Sequence, residues 1–436
     1  MVERMAVRYV AVIAIALLNA LAVTTPAFAQ SALATVGVGT SPAGVAVNSA
    51  TNRVYVANQR GNSVSVINGT TSATVATIPV GNGPTFLAVN PALNRVYVAN
   101  GFSNTVSIID GATNKVIATV AVGKQPTRVV VAPSTNDVYV ANFRSDDVSV
   151  IDGTTNVVIA TADVGIRPTA MAVDSGVNRI FVANTNGNNV SVINGTTNTV
   201  LTTIPVGTSP QAITVDPTIQ NVYVANNGSN NVTVIDAVTD NVLTTIPVGT
   251  QPLSIAANPS TNRVYVANFG TDNVSVIDGS NDTIASTIPV GINPDFIALD
   301  PALNRVFVTN ERSNNLSIID GQSDMVVAKV NVSQQPQSIA VNAGPGRVYV
   351  TNAASNSVTL VDARVTTVTP TATPAPRPTA TSAPASPVST PAATPSALPP
   401  VLPRTGGMPL GILEVTGTAL AGLGALALAL GRQRKR

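Results

Sequence analysis

The chain has 436 residues, of which 10% are charged and 3% aromatic, and it contains no cysteine, histidine or tryptophan. These absences exclude disulfides, thiol nucleophiles, zinc–thiolate sites and every catalytic pair that requires a histidine. The formal charge of +2 comes from the two ends: without their six basic and two acidic residues, 17 basic and 19 acidic residues remain. A nucleic-acid-binding surface is therefore not expected.

The first 29 residues have the order of a secretory signal peptide. A basic start and an apolar run over residues 9–23 precede small residues at Ala27 and Ala29, and Gln30 follows. The run is short for a membrane span, and the small-x-small pattern is typical of a signal-peptidase site. We expect cleavage before Gln30.

Residues 30–365 consist of one unit that is repeated eight times. An aromatic residue recurs every 42 positions without insertion, and a proline keeps the same period. The aromatic positions are Tyr55, Tyr97, Tyr139, Phe181, Tyr223, Tyr265, Phe307 and Tyr349. Such a constant period indicates a repeat architecture, and a residue that every copy retains is expected to lie in the core.

Each unit contains four short β-rich runs that are separated by turn residues. In the unit beginning at Pro126 they are Val129–Val131, Asp137–Ala141, Val148–Ile151 and Val157–Val164. A repeat of about 40 residues with four strands is typical of a propeller blade, and radial stacking of blades buries both faces of each sheet. The sequence predicts an all-β fold, an eight-bladed β-propeller with 42-residue blades.

The eighth copy lacks a fourth strand and its β-pattern stops at Asp362, but a matching segment, Ala34–Gly39, precedes the first blade. Pairing this segment with the last blade would hide both free sheet edges. We therefore predict a strand-swapped closure of eight blades; a seven-bladed ring with one extra unit is the alternative.

The second strand of the repeat carries a recognisable motif. It is Val-Tyr-Val-Thr-Asn at Val348–Asn352, and Val148–Asp152 shows the Val-Ser-Val-Ile-Asp run of the next strand. These motifs resemble the YVTN family of β-propeller repeat proteins over about residues 31–365. The resemblance implies the propeller fold and a place among prokaryotic cell-surface and surface-layer proteins, and it leaves the ligand open.

Residues 366–400 are rich in proline, threonine, alanine and serine and carry one charge, Arg377. Such a segment cannot bury enough apolar surface to fold, so we expect a disordered stalk. Residues 401–436 then combine a short motif, an apolar stretch over 408–430 and a basic end. The apolar stretch is long enough for one transmembrane helix.

The short motif consists of Leu402, Pro403, Arg404, Thr405 and Gly406. With the apolar stretch and basic end it resembles the LPxTG sorting signal of wall-anchored proteins. The resemblance implies that sortase cleaves between Thr405 and Gly406 and joins the chain to peptidoglycan. A plain C-terminal membrane anchor is the alternative, and in either case the protein is displayed on the extracellular surface.

Repeated polar residues are expected to be structural. Asn58 and Asn142, like Asp110 and Asp152, are predicted to satisfy the backbone of turns. Residues that break the repeat are better functional candidates, since blade packing does not require them. If the proline-led strand is innermost, the unrepeated aromatic residues lie on or near one rim, together with Lys124, Arg128, Glu311, Arg312 and other charged side chains. The candidate binding rim is Phe86, Phe102, Phe143, Phe269, Phe296, Arg144 and Arg167.

Exposed aromatic side chains among polar loops suit an extracellular protein or glycan ligand. The favoured function is thus a non-enzymatic cell-surface propeller that needs no cofactor or metal. A structural surface coat is the alternative. A carboxylate- or calcium-dependent hydrolase or lyase is disfavoured, because Asp146, Asp147 and Asp272 lack ligand spacing beyond a loop motif and no histidine is present.

Overall fold

The computed structural model describes residues 31–364, which contain 32 β-strands. The signal peptide, the stalk and the sorting signal with its apolar stretch, predicted at 1–29, 366–400 and 401–436, lie outside the described residues. Within residues 31–364 there is no helix with the length and apolar character needed to cross a membrane.

The strands form one short segment and eight successive groups. The first strand is β1 (Ala34–Gly37), and blades 1 and 2 contain β2 (Pro42–Asn48), β3 (Arg53–Asn58), β4 (Ser63–Asn68), β5 (Ala73–Pro79), β6 (Pro84–Asn90), β7 (Arg95–Asn100), β8 (Thr105–Asp110) and β9 (Lys115–Ala121). Blades 3 and 4 contain β10 (Pro126–Val131), β11 (Asp137–Asn142), β12 (Asp147–Asp152), β13 (Val157–Asp163), β14 (Pro168–Asp174), β15 (Arg179–Asn184), β16 (Asn189–Asn194) and β17 (Val200–Pro205). Blades 5 and 6 contain β18 (Pro210–Asp216), β19 (Asn221–Asn226), β20 (Asn231–Asp236), β21 (Val242–Pro247), β22 (Pro252–Asn258), β23 (Arg263–Asn268), β24 (Asn273–Asp278) and β25 (Thr283–Pro289). Blades 7 and 8 contain β26 (Pro294–Asp300), β27 (Arg305–Asn310), β28 (Asn315–Asp320), β29 (Met325–Asn331), β30 (Pro336–Asn342), β31 (Arg347–Asn352) and β32 (Ser357–Asp362).

The strands assemble into eight four-stranded antiparallel sheets. Seven sheets follow chain order, whereas the eighth has the order β1-β32-β31-β30. In that sheet Val36 lies opposite Val358, and Ala34 lies opposite Leu360. The predicted strand swap is confirmed, and it supplies the fourth strand that the last copy lacks.

The proline-led strands are innermost, which is the arrangement that the rim hypothesis assumed. Each of them contacts the proline-led strand of the next blade, and β30 of the eighth blade contacts β2 of the first. The sheets therefore close into a ring of eight blades, and the seven-bladed alternative is wrong.

The core lies between neighbouring blades. Tyr55 is fully buried and packs with Leu87 and Val96 of the next blade, and Phe181 packs in the same way with Ile213 and Val222. The second and third strands of each blade have apolar residues on both faces that are almost fully buried. This explains the near-continuous Val/Ile runs, because each central strand faces a neighbouring blade on either side.

The repeated polar residues follow the prediction only in part. The Asp152 carboxylate accepts hydrogen bonds from the backbone amides of Thr154 and Thr155, and these bonds lower its pKa. The prediction is wrong for Asn58 and Asn142, because Asn58 Nδ2 donates to the side chains of Ser63 and Ser65 on the facing strand, and Asn142 Nδ2 donates to the equivalent side chains in its own blade. The role of both is to join two strands rather than to close a turn.

A second polar array links neighbouring blades at the end of each innermost strand. In four blades an asparagine there donates its Nδ2 to the Oδ1 of an asparagine in the next blade, at 2.8 or 2.9 Å. The pairs are Asn48 with Asn94, Asn90 with Asn136, Asn258 with Asn304, and Asn342 with Asn52. The last pair joins blade 8 to blade 1 and so repeats the contact across the closure.

Candidate functional site

One face of the ring carries the linkers between blades and the turns between second and third strands; we call it the loop face. Each linker ends before the proline with a residue of positive φ, such as Arg167 at 58°. The amide of Arg167 donates to Asp146 Oδ1, and the amide of Asn293 donates to Asp272 Oδ1, both at 2.8 Å. These carboxylates hold the linkers in a conformation that is disfavoured before proline.

The acidic residues considered for calcium or acid–base chemistry thus have structural partners. Besides Asp146 and Asp272, Asp147 accepts a hydrogen bond from Asn142 Nδ2 at 2.6 Å. In the described part of the chain, no group of three or more acidic side chains could hold a metal ion.

Three of the candidate rim phenylalanines lie in loop-face turns. Phe102 is 65% exposed and covers Gly83, where an added Cβ would lie 2.5 Å from the Phe102 ring. Phe143 is half-buried, and the Arg167 guanidinium lies 5.3 Å from its ring centroid. Phe269 is also half-buried, and its carbonyl accepts a hydrogen bond from Asn293 Nδ2.

Positive charge accumulates on the loop face of blades 2 to 4. Lys124 and Arg144 are exposed there, and Arg167 lies beside them. The backbone amide of Arg144 donates to the carbonyl of Lys124, which holds the two basic residues on neighbouring segments. With Phe102 and Phe143 they form one cationic and aromatic sector of the rim.

The other two candidate phenylalanines do not lie on the outer rim. Phe86 of blade 2 and Phe296 of blade 7 meet inside the ring, with ring centroids 6.1 Å apart. The Arg128 guanidinium of blade 3 stacks on Phe86 at 3.4 Å and lies 5.8 Å from the Phe296 centroid. Because blades 3 and 7 stand opposite each other in a ring of eight, these side chains bridge the central channel.

A local irregularity in the innermost strands accompanies this bridge. Every innermost strand has a register shift just after its proline, and Phe86, Arg128 and Phe296 follow that shift directly. A bulge bends the strand and re-aims the side chain that follows it. The other five blades carry small residues at this position, namely Gly44, Ala170, Ala212, Ser254 and Ser338. Only three blades therefore send long side chains into the channel from this position.

A carboxyl group stands beside the bridge. The pKa of Asp295 is raised to about 8: burial is the largest cause, Glu311 acts in the same direction, and Arg128 opposes both. Burial also raises the pKa of Glu311, and it lowers the pKa of Arg128 to about 10, against an opposing effect of Asp295. Within residues 31–364, Arg128 and Asp295 form no ion pair with each other.

Asp295 is the residue that the sequence prediction missed, and Arg128 was assigned to the rim rather than to the channel. An alignment of the eight copies shows the signal that was missed: Asp295 is the only charged residue directly after the repeated proline. Arg128 is likewise the only charged residue one position further along. We name Phe86, Arg128, Asp295 and Phe296 the channel cluster.

Comparisons with known proteins agree with the fold. The model of the YNCE-like beta-propeller family matches residues 5–121 and 92–174, and no curated protein matches the chain significantly. Among solved structures, hydrazine synthase of Kuenenia stuttgartiensis is 17% identical with a TM-score of 0.56, covering 75% of this chain and 96% of its own. A dihydro-heme d1 dehydrogenase, NirN, is 15% identical with a TM-score of 0.56, covering 72% and 74%. At these identities the likeness shows the fold alone. Together with the closed ring of 42-residue blades, the comparisons establish a β-propeller repeat protein.

Proposed function

We propose that the chain is a non-enzymatic binding protein of the cell surface, which captures an extracellular protein or glycan through the loop face. The observation that carries the proposal is the cationic and aromatic sector of blades 2 to 4. There a phenylalanine is left 65% exposed at Phe102, with Lys124 and Arg144 exposed beside it. An exposed ring among polar loops contributes contact area to a ligand at little entropic cost.

The hydrolase or lyase alternative gains no support from the described residues. The carboxylates of Asp146, Asp147 and Asp272 already accept hydrogen bonds that hold the loop face together. Catalysis would require these carboxylates to give up their hydrogen bonds. For Asp146 and Asp272 this would release the linkers that they hold.

Display on the surface is the second half of the proposal. The signal sequence, the proline-rich stalk and the LPxTG-like motif in residues 402–406 support attachment to peptidoglycan by sortase. Substituting Thr405 by alanine should move the protein from the wall fraction to the membrane or the medium of its host. An unchanged wall fraction would contradict sortase anchoring without touching the binding proposal.

The binding proposal is tested with the full chain on arrays of glycans and extracellular matrix proteins. For any positive signal, Phe102→Ala should lower the affinity at least tenfold, because the substitution removes the most exposed aromatic contact of the rim. The core should stay intact, since the ring is largely solvent-exposed. Leu303→Ala is the matched control, since Leu303 is 37% exposed on the opposite face. Equal affinities of both variants and the parent chain would refute the rim.

One observation favours the structural coat as a second candidate. The outermost strands, which face away from the ring, expose apolar side chains in seven blades. They are Val75, Ile117, Val157, Ile159, Leu201, Val242, Leu243, Ile284 and Met325. Such an apolar girdle, on strands with a free edge, suits side-by-side packing of copies.

The coat predicts self-association that depends on concentration. Sedimentation velocity of the full chain should then show larger species, and Leu243→Lys with Met325→Lys should abolish them. The loop-face variant Phe102→Ala should leave self-association unchanged. A monomer at all concentrations would contradict the coat.

A further inference from the structure

We propose that the channel cluster is a binding site for a carboxylated sugar, whose carboxylate is held by Arg128 inside the ring. The site is separate from the rim proposed above, so either proposal can fail without the other. Three features of the described residues carry it: the unpaired edge of Arg128, the neighbouring Asp295 carboxyl, and the two flanking phenylalanines.

Arg128 is fixed in place but retains free donors. Its Nε donates to the carbonyl of Thr169 at 3.1 Å, and its plane stacks on Phe86 at 3.4 Å. Within residues 31–364 its two Nη groups make no hydrogen bond and no ion pair. Neither Nη group is among the buried unpaired atoms, so both stay open to the channel, where a ligand can reach them. A rigid planar fork with a free edge matches a carboxylate in a bidentate geometry.

Asp295 explains how an anion could approach despite the nearby acids. The charged groups around it are Arg128 across the channel and Glu311 on the adjoining turn. With a pKa of about 8, the Asp295 carboxyl is mostly protonated at neutral pH. In that form it is uncharged and donates a hydrogen bond, so it complements the fork of Arg128 instead of repelling the ligand.

The surroundings favour a sugar over a simple anion. Phe86, which Arg128 covers on one face, and Phe296 add apolar ring surface beside the guanidinium, against which the C–H groups of a pyranose can pack. At the position directly after the proline, neighbouring blades carry half-buried neutral hydrogen-bonding residues, among them Thr127 and Gln337. Such groups pair with hydroxyls but add no charge.

Isothermal titration of the full chain with glucuronate tests the proposal, with glucose and acetate as comparison ligands. Glucuronate should bind at pH 6.5, and Arg128→Gln should weaken it at least tenfold, since two charge-assisted hydrogen bonds are lost. Lys115→Gln removes an exposed positive charge from the outermost strand of blade 2, outside both proposed sites, and should leave the affinity within about twofold. Circular dichroism of each variant establishes that the ring is intact.

The pH dependence gives a second readout that a structural defect would not reproduce. Between pH 6.5 and 9 the affinity of the parent chain should fall, because ionised Asp295 repels the carboxylate while Arg128, with a pKa of about 10, stays charged. Asp295→Asn should bind at pH 6.5 and lose most of this fall. Absence of glucuronate binding, or equal losses in Arg128→Gln and Lys115→Gln, would overturn the site. Equal affinity for acetate would overturn its assignment to a sugar.

Discussion

The polar array between blades contains a position where one substitution should stabilise the ring. Asp216 occupies the place of the inter-blade asparagines, is fully buried, and its Oδ2 has no hydrogen-bond partner. The residue of the next blade that would pair with it is Asn262. An asparagine at position 216 could donate to Asn262 Oδ1, as Asn258 donates to Asn304 Oδ1 at 2.9 Å.

Asp216→Asn should therefore raise the free energy of unfolding at pH 7. The new inter-blade hydrogen bond is worth about 1 kcal/mol, and removing an unpaired buried oxygen gains about 1–2 kcal/mol more. The bonds that Asp216 Oδ1 accepts from Thr218 can persist, because an amide oxygen accepts as well. With an unfolding entropy of about 0.7 kcal/mol/K for some 330 residues, the melting temperature should rise by about 3–4 °C.

The matched control is Asp300→Asn. Asp300 is equally buried and its Oδ2 is also unpaired, but the corresponding residue of the next blade is Gly346, which has no side-chain acceptor. The amide introduced there gains no partner, so the melting temperature should stay unchanged or fall. Calorimetry and urea titration of the three proteins measure the difference. An equal effect of both substitutions would refute the role assigned to the inter-blade asparagines.

Three further predictions follow from the same contacts. Val36→Asp should destabilise the ring by about 3 kcal/mol or more in urea titration, because Val36 is buried in the closing strand, whereas Thr35→Asp on its exposed side should cost under about 0.5 kcal/mol. Tyr139→Phe should cost about 1 kcal/mol in the same assay, since its hydroxyl donates to Asn198 Oδ1 in the next blade at 2.7 Å, while Tyr55→Phe, whose hydroxyl has no partner, should be neutral. The raised pKa of Asp295 means that the folded chain binds more protons there than the unfolded one between about pH 4 and pH 8. Stability from this group is thus complete at low pH and is lost as the pH rises through that window, and Asp295→Asn should flatten the decline measured by thermal melts.

The repeat made most of the fold predictable. In blade 3 the predicted strands differ from the observed ones mainly at their ends: Val129–Val131 lies within Pro126–Val131, and Asp137–Ala141 extends only to Asn142. The swap of Ala34–Gly37 was also predictable, because the eighth copy lacks a strand that the N-terminal segment supplies. A period that recurs eight times identifies core positions without any knowledge of contacts.

The channel cluster was not predictable from the same pattern. Phe86 and Phe296 are 210 positions apart in the chain, and they meet only because the ring closes at eight blades and a bulge turns both side chains inward. The partners of Asn58 were missed for a related reason: its sequence position beside a turn is compatible with bonds to the turn or to the facing strand. Register and side-chain direction decide such cases, and neither is encoded in the period.

The residues that break the repeat should differ from the repeated ones in what they contribute to stability. Phe296 occupies a position where five blades have glycine, alanine or serine, so blade packing does not require a ring there. Phe307 is repeated and fully buried between blades. We expect Phe307→Ala to cost about 3–5 kcal/mol and Phe296→Ala under about 2 kcal/mol in urea titration. A cost for Phe296→Ala as large as that of Phe307→Ala would mean that the bridge holds the ring together, and it would remove the main reason to regard the channel as free to bind a ligand.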